Sequence, residues 1–142
     1  EDYYSFPTAD KLAQVQVDEL KEISSVGFRA QRIVDTSRLV AEGAIDINSI
    51  YKLSKEEGKE LLMTLPGVGP KVSECILLFA YKKREAFPVD VWVKRVMEHF
   101  YLKEDRKVQD IEKEGARLFG DLAGFAQQYL FYYARELGIG RN

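Results

Sequence analysis

Apolar residues recur along this chain at three- and four-residue spacing, the period of an amphipathic α-helix. In residues 28–42, for example, Ala30, Ile33 and Val34 fall on one helical face, and Gly43 follows as a stop signal. No stretch alternates between apolar and polar residues for more than a few positions, as a strand would. The pattern therefore predicts an all-α fold, with helices at residues 9–15, 17–24, 28–42, 46–53, 55–63, 70–83, 91–101, 107–119 and 122–137.

Residues at the ends of these segments support the helix boundaries. Thr8 and Asp90 are suited to N-caps, and Ser54 with Glu57 forms the pattern of a capping box. Gly27 is expected to end the second helix in a left-handed conformation. In the two helices after residue 70, the side chains that we expect to be buried are Val72, Cys75, Ile76, Phe79, Val93, Val96, Met97 and Phe100.

The segment LPGVGP joins two predicted helices through a turn that cannot be helical. Gly67 and Gly69 permit positive φ and close approach of a ligand to the backbone. The free amides of the turn and of the next helix N-terminus favour an anion such as a phosphate. We also predict that the backbone carbonyls of Met63, Leu65 and Val68 hold a monovalent cation. From the residues alone, a plain tight turn between helices explains the glycines equally well.

The composition of the chain limits the classes of protein and the kinds of site that it can represent. The chain has 142 residues, about one domain by length, and no apolar run near the ~20 residues of a membrane span. One cysteine and one histidine exclude an internal disulfide framework and a four-ligand zinc or iron–sulfur site, so we expect no such cofactor and an intracellular, non-secreted protein. A net charge of −2 is low for a nucleic-acid-binding protein, but basic residues cluster locally. The net charge therefore does not decide whether the protein binds nucleic acid.

LPGVGPKVSECILLFA, followed by FPVDVWVKRV, resembles the helix–hairpin–helix and Gly/Pro-Asp loop of a superfamily of DNA glycosylases. The resemblance implies a multi-helix glycosylase domain over residues 1–142, with its hairpin at 64–70 and its catalytic loop at 84–90. Tyr3, Tyr4 and Phe6 have no preceding helix to pack on. We therefore expect a C-terminal fragment of a larger protein that lacks its N-terminal part.

The position of Lys71 resembles the branch that combines glycosylase and lyase activities, and the four-cysteine iron–sulfur loop of some relatives is absent from the sequence. Cys75 and GFAQQYLFYYA resemble the enzymes that remove 8-oxoguanine. The implied function is base excision repair of duplex DNA that contains an oxidised purine, followed by strand nicking through β-elimination. Two alternatives remain: a glycosylase for another oxidised or alkylated base, and a non-catalytic DNA-binding module.

The resemblance also assigns roles to residues. Lys71 would be the nucleophile, and Asp90 would stabilise the sugar cation or move protons. Cys75 and Phe131 would stack on the flipped base, and Gln127 would bind its Watson–Crick edge. The DNA-binding residues would be Phe28 and Arg29 as a wedge, Gly67, Val68 and Gly69 on the backbone, and Trp92 in the place of a phosphate-contacting histidine. We expect a monomer that acts near the bacterial nucleoid or in a eukaryotic nucleus.

Overall fold

The computed structural model describes residues 2–139, and every regular element in this range is a helix, which confirms the all-α prediction. The shorter turns are 3₁₀ at Ser49–Tyr51 and Gly120–Leu122, and π-helical at Glu98–Leu102. The α-helices are α1 (Ala9–Gln14), α2 (Val17–Ser24), α3 (Arg29–Ala41), α4 (Lys55–Met63), α5 (Pro70–Phe79), α6 (Val91–Met97), α7 (Val108–Phe119) and α8 (Ala123–Leu137). None of these helices is both long and apolar enough to cross a membrane.

The chain divides into two compact units, and the first contains the residues up to Lys52 together with Thr64–Gly67. In this unit α1 and α2 pack against α3. Its core is formed by Leu20, Ala30 and Val34, of which Ala30 and Val34 belong to the helical face that the spacing predicts. Two compact units can fold together or separately, so the single domain over 1–142 stays a prediction.

The second unit contains Leu53–Met63 and the chain from Val68 onward. Here α4 packs against α5, while α6 packs against α7 and α8. The core consists of buried apolar side chains from α6, α7, α8 and the segment before α6: Phe87, Val89, Val93, Met97, Ile111 and Ala123. Since most of the predicted chemistry belongs to α5, α6 and α8, this core positions the candidate site.

The predicted N-caps form as hydrogen bonds. Thr8 Oγ1 accepts from the Lys11 amide at 3.4 Å. Ser54 and Glu57 form the reciprocal capping box, with the Ser54 amide 2.9 Å from Glu57 Oε2 and the Glu57 amide 3.2 Å from Ser54 Oγ. These local signals specify where helices begin, because a side-chain acceptor satisfies amides that have no partner inside the helix.

Two helix predictions were too long. Residues 46–53 form only a turn and the 3₁₀ segment, since Asp46 Oδ1 accepts from the Asn48 amide at 2.9 Å and so favours a turn over a helix. Helix α5 stops at Phe79 instead of residue 83, because Lys82 adopts a left-handed φ of 57°. Similarly, α2 ends on Ser25 at φ 53° rather than on Gly27.

The predicted buried face of α5 was wrong at its two ends. Val72 is 43% exposed and Phe79 is 62% exposed. The fully buried side chains of α5 are instead Ser73, Glu74 and Leu77. A pattern that counts only apolar residues misses this face, because two of its three members are polar. In α6 and its π-helical extension, Val93, Val96 and Met97 are buried as predicted, but Phe100 is 47% exposed.

Candidate active site

A surface cavity of about 650 Å³ in the second unit brings together four of the residues predicted to contact DNA or the damaged base. These are Lys71 at the start of α5, Asp90 and Trp92 at the start of α6, and Phe131 on α8. The remaining lining residues are Val89, Val91, Lys94, Val108 and Arg135. The structure therefore places an amine, a carboxylate and an aromatic ring around one volume, although the sequence separates them widely.

Asp90 is held by its own helix. Its Oδ1 accepts from the amides of Trp92 at 2.9 Å and Val93 at 2.8 Å, as an N-cap carboxylate does. The positive end of the α6 dipole lies at the same place. Because the cap engages Oδ1, the carboxylate has a fixed orientation, and its second oxygen can face a ligand in the cavity.

Lys71 is exposed and occupies the second position of α5, directly after Pro70. Gly69 is the N-cap and contributes no side chain, so the first-turn amides remain free to bind an anion. Its φ of −99° is extended, and of the two hairpin glycines only Gly67, at φ 78°, needs the left-handed region. Both glycines permit positive φ, but only Gly67 adopts it.

Residues 84–90, the segment that ends at Asp90, are held in place by hydrogen bonds of their main chain. The Arg84 carbonyl accepts from the Gly124 amide at 2.7 Å, and the Phe87 amide donates to Glu74 Oε2 at 2.9 Å. The Pro88 carbonyl accepts from Gln127 Nε2 at 2.9 Å. Hydrogen bonds from α5 and α8 thus hold this loop, which carries Asp90 at its end.

Gln127 is 4% exposed, and its amide group is engaged within the protein. Besides the bond from Nε2 to Pro88, its Oε1 accepts from Gln128 Nε2 at 2.6 Å. One N–H and one lone pair of the amide remain for a base. The base-binding role of Gln127 stays a prediction, and the structure shows that the residue also supports the loop at residues 84–90. Phe131, one turn later, lines the cavity with its half-buried ring.

Cys75 lies one turn after Lys71 on α5 and is half-buried. Burial raises the pKa of its thiol, the charge of Lys71 lowers it, and the charges of Asp90 and Glu74 raise it further. The net shift is upward, so the side chain is a neutral thiol at physiological pH. A neutral, polarizable group is suited to contact with the face of a base, the role that the resemblance implies.

We expect iodoacetamide to alkylate Cys75 several-fold more slowly in the folded protein than in the urea-unfolded protein at pH 8, because the raised pKa lowers the thiolate fraction. Lys71→Gln should slow the reaction further, since it removes the charge that lowers this pKa. Mass spectrometry of the Cys75 peptide gives both rates. As a control, Lys113→Gln on α7 should leave the rate unchanged. Faster alkylation in Lys71→Gln would contradict the proposed proximity.

The first unit contains the predicted wedge. Phe28 is 67% exposed, with the Arg29 guanidinium 4.6 Å and the Arg32 guanidinium 5.5 Å from its ring centroid. Gly67 lies against Arg32, because a Cβ on this glycine would come within 2.3 Å of the arginine side chain. An exposed aromatic ring with two arginines beside it suits stacking on a nucleobase. The DNA-binding roles of Phe28, Arg29 and the hairpin residues stay predictions.

The predicted cation site at the carbonyls of Met63, Leu65 and Val68 also stays a prediction. Within residues 2–139, no group of three or more histidine, cysteine, aspartate or glutamate side chains is placed to hold a metal ion. That finding concerns side-chain ligands and does not test backbone carbonyls. Val68, in addition, is the central residue of the GVG turn that we expect to contact DNA.

Sequence reasoning missed Arg135, Lys94 and Glu74. Arg135 follows Phe131 by four residues on α8, a spacing that places both on one face and could have revealed it. Lys94 lies in the cavity wall, and it pairs with Glu98 at 3.2 Å. Glu74 gave no such signal, because its partners are distant in the sequence.

Comparison with known proteins decides the family. Residues 1–120 match the family described as HhH-GPD superfamily base excision DNA repair protein. The chain belongs to this superfamily. The family assignment made from the hairpin and Gly/Pro-Asp loop is thus confirmed.

The chain is similar to two curated relatives in particular. A probable N-glycosylase/DNA lyase of Methanothermobacter thermautotrophicus is 43% identical over 114 residues, which cover 80% of this chain and 36% of that protein. The N-glycosylase/DNA lyase OGG1 of Arabidopsis thaliana is 33% identical, over 92% of this chain and 38% of the relative. The chain therefore spans less than half the length of these relatives.

A solved structure shares the fold. The 8-oxoguanine glycosylase/lyase of Clostridium acetobutylicum, in complex with double-stranded DNA containing cytosine opposite 8-oxoguanine, superposes with a TM-score of 0.89 at 44% identity. The match covers 96% of this chain and 47% of that one. Nearly all of the present chain thus corresponds to one portion of an HhH-GPD glycosylase.

Proposed function

We propose that this protein removes 8-oxoguanine from duplex DNA and then nicks the abasic strand. The observation that carries the proposal is the single cavity lined by Lys71, Asp90 and Phe131. It provides a nucleophile, an electrostatic partner and an aromatic surface within one site. The 44% identity to the Clostridium glycosylase/lyase supports 8-oxoguanine as the substrate.

In the first reaction, Lys71 Nζ attacks C1′ of the damaged nucleotide. The bond between C1′ and the base breaks, and the base leaves with that electron pair and takes up a proton. Asp90, fixed by its cap at the end of α6, stabilises positive charge that develops on the sugar. The C1′–O4′ bond then breaks as the nitrogen lone pair forms a double bond to C1′, and a proton passes from the nitrogen to O4′, which gives a protonated Schiff base.

In the second reaction, a proton leaves C2′ and its electron pair forms a double bond that expels the 3′ phosphate. Water then hydrolyses the Schiff base and releases Lys71. Among the described residues, Asp90 is the one whose carboxylate lines the cavity. This carboxylate can exchange protons in these steps. The protein would therefore need no redox or organic cofactor, which is what the sequence predicts.

The damaged base would lie between Cys75 and Phe131 after it leaves the helical stack. A neutral thiol on one side and an aromatic ring on the other suit a flat ring system. The amides at the start of α5 would hold a phosphate, and Phe28 with Arg29 would contact the DNA from the first unit. A monomeric state and the expected cellular location stay predictions.

A trapping experiment tests this function in the full-length protein. Duplexes that contain 8-oxoguanine opposite cytosine, an oxidised pyrimidine, an alkylated purine or an abasic site are incubated with the protein and borohydride, which reduces a Schiff base to a stable amine. We expect a covalent adduct with the 8-oxoguanine and abasic duplexes. Trapping on a different lesion in place of 8-oxoguanine would contradict the proposed substrate. Binding without trapping or nicking on any duplex would indicate a non-catalytic module.

Substitutions at Asp90 should separate its cap from its chemistry. Asp90→Asn keeps an oxygen acceptor for the two amides, so we expect the free energy of unfolding to change by less than ~0.5 kcal/mol. Asp90→Ala loses the cap and should cost about 1 kcal/mol. Both should slow excision by roughly 10²-fold or more, because both remove the carboxylate. Urea unfolding and single-turnover excision measure the two effects, and a fully active Asp90→Asn would contradict the catalytic role.

A further inference from the structure

Glu74 is a buried acid that the proposed reaction steps do not use. It is 1% exposed on the inner face of α5, three residues after Lys71. Its Oε2 accepts from the Phe87 amide at 2.9 Å, and its Oε1 forms an ion pair with Lys59 Nζ at 2.9 Å. A second lysine, Lys55, lies 3.8 Å from the same oxygen. The carboxylate therefore links α4, α5 and the loop before α6.

The lysine partner is itself firmly paired. Lys59 Nζ also lies 2.9 Å from Glu112 Oε2 on α7. Burial lowers the pKa of Lys59, but hydrogen bonds and charges from Glu112 and Glu74 outweigh burial and raise it above its usual value. The raised pKa keeps the lysine positively charged at neutral pH, so it is a counter-ion for the Glu74 carboxylate.

Stability alone does not account for such a group. Removing two charges from water costs several kcal/mol each, and well-packed apolar residues of similar volume are often as stable or more so. A buried ion pair is therefore weak evidence for stabilisation. What apolar side chains cannot supply is an acceptor for the Phe87 amide, which would otherwise be buried without a partner.

The loop that receives this hydrogen bond ends at Asp90. Glu74 holds Phe87 from α5, while Gln127 holds the next residue, Pro88, from α8. Lys71 and Glu74 share α5, so the position of Phe87 relative to Glu74 also sets the position of Asp90 relative to Lys71. A displacement of about 1 Å between reacting groups can lower a rate by roughly 10²-fold.

We propose that Glu74 is a positioning residue, which sets the separation of Lys71 and Asp90 by fastening the loop before Asp90 to the helix that carries Lys71. The inference rests on the proposed function, because it concerns the joint action of these two groups. The proposal makes the hydrogen bond from the Phe87 amide to Glu74 a requirement for activity, in addition to the residues that line the cavity and the hairpin. The hydrogen bond to the loop, and not the negative charge, is the property that matters.

The test compares two variants in a common Lys59→Met background of the full-length protein. Glu74→Gln keeps a carbonyl oxygen for the Phe87 amide without a charge, whereas Glu74→Met has similar volume and no acceptor. We expect single-turnover excision of 8-oxoguanine within about threefold of the background for Glu74→Gln and about 30-fold slower for Glu74→Met. The dissociation constant for a duplex with an uncleavable abasic analogue should differ by less than about threefold, since the substituted side chain at position 74 is buried.

Equal excision rates in the two variants would overturn the proposal, whether both are fast or both are slow. Glu112→Gln, with Lys59 retained, is a matched control, because it removes a carboxylate that pairs with the same lysine but does not contact the loop. Its excision rate should stay near that of the wild type. If the Lys59→Met background does not fold, the comparison of Glu74→Gln with Glu74→Met is made with Lys59 retained.

Amide hydrogen exchange at Phe87 tests the fastening without any catalysis. Exchange should be faster in Glu74→Met than in Glu74→Gln. If the wild type fails to trap any lesion but this difference is observed, the proposed function fails while the fastening stands. If wild type traps 8-oxoguanine DNA but exchange at Phe87 is equal in the two variants, the role of Glu74 fails alone.

Discussion

Lys71→Gln is expected to abolish the borohydride-trapped adduct with 8-oxoguanine DNA and to slow base excision by roughly 10³-fold or more. Glutamine has a similar length and remains compatible with the second position of α5, but its amide nitrogen is not a nucleophile. The residual rate would come from binding and from Asp90, which stays capped at the start of α6. Denaturing gel electrophoresis of the trapped complex and single-turnover excision measure the two losses.

The control for Lys71→Gln must remove the same charge without altering the cavity. Lys113→Gln on α7 is suitable, because Lys113 is exposed and is absent from the lining of the cavity. It should trap DNA like the wild type. Equal trapping by Lys71→Gln and the wild type would exclude Lys71 as the nucleophile and would direct attention to another amine.

Phe87→Ala is expected to lower the free energy of unfolding by about 3–5 kcal/mol, the cost of removing a large aromatic side chain from a core. Phe87 is 1% exposed, and its ring stacks 6.0 Å from that of Phe119. Gly115 on α7 lies so close that a Cβ there would come within 2.4 Å of the Phe87 ring. This tight fit leaves the neighbours little freedom to fill the cavity that alanine would create.

Urea unfolding of the full-length protein measures this loss. Phe79→Ala is the matched control, since Phe79 is a phenylalanine of the same unit that is 62% exposed. It should change the free energy of unfolding by less than ~0.5 kcal/mol. Equal effects of the two substitutions would contradict the placement of Phe87 in the core of the second unit.

The sequence correctly predicted the features that depend on residues close to one another in the chain. The caps at Thr8, Ser54 and Asp90 form as expected, because each depends on a side chain and amides within three residues. The family followed from a similarly local motif, the hairpin and the Gly/Pro-Asp loop. Of the candidate site, the sequence could name Lys71 and Asp90, but only by resemblance to that family.

Other failed predictions, unlike those of the helix ends, concern interactions between residues that are far apart in the sequence. Glu74 is buried because Lys59 and the Phe87 amide provide partners from α4 and from the loop before α6. No helical periodicity encodes such a partnership, so the sequence assigned Val72 and Phe79 to the buried face instead. The hydrogen bond from Gln127 to Pro88 was likewise not predicted, since it joins residues 39 positions apart.

The main-chain fastening of residues 84–90 has a consequence for how this protein can evolve. The three bonds engage the Arg84 carbonyl, the Phe87 amide and the Pro88 carbonyl, and every amino acid except proline at position 87 supplies these atoms. Substitutions at exposed positions of the segment therefore leave Asp90 in place. Natural variation or protein engineering can change the exposed side chain at position 84 without changing the orientation of the Asp90 carboxylate.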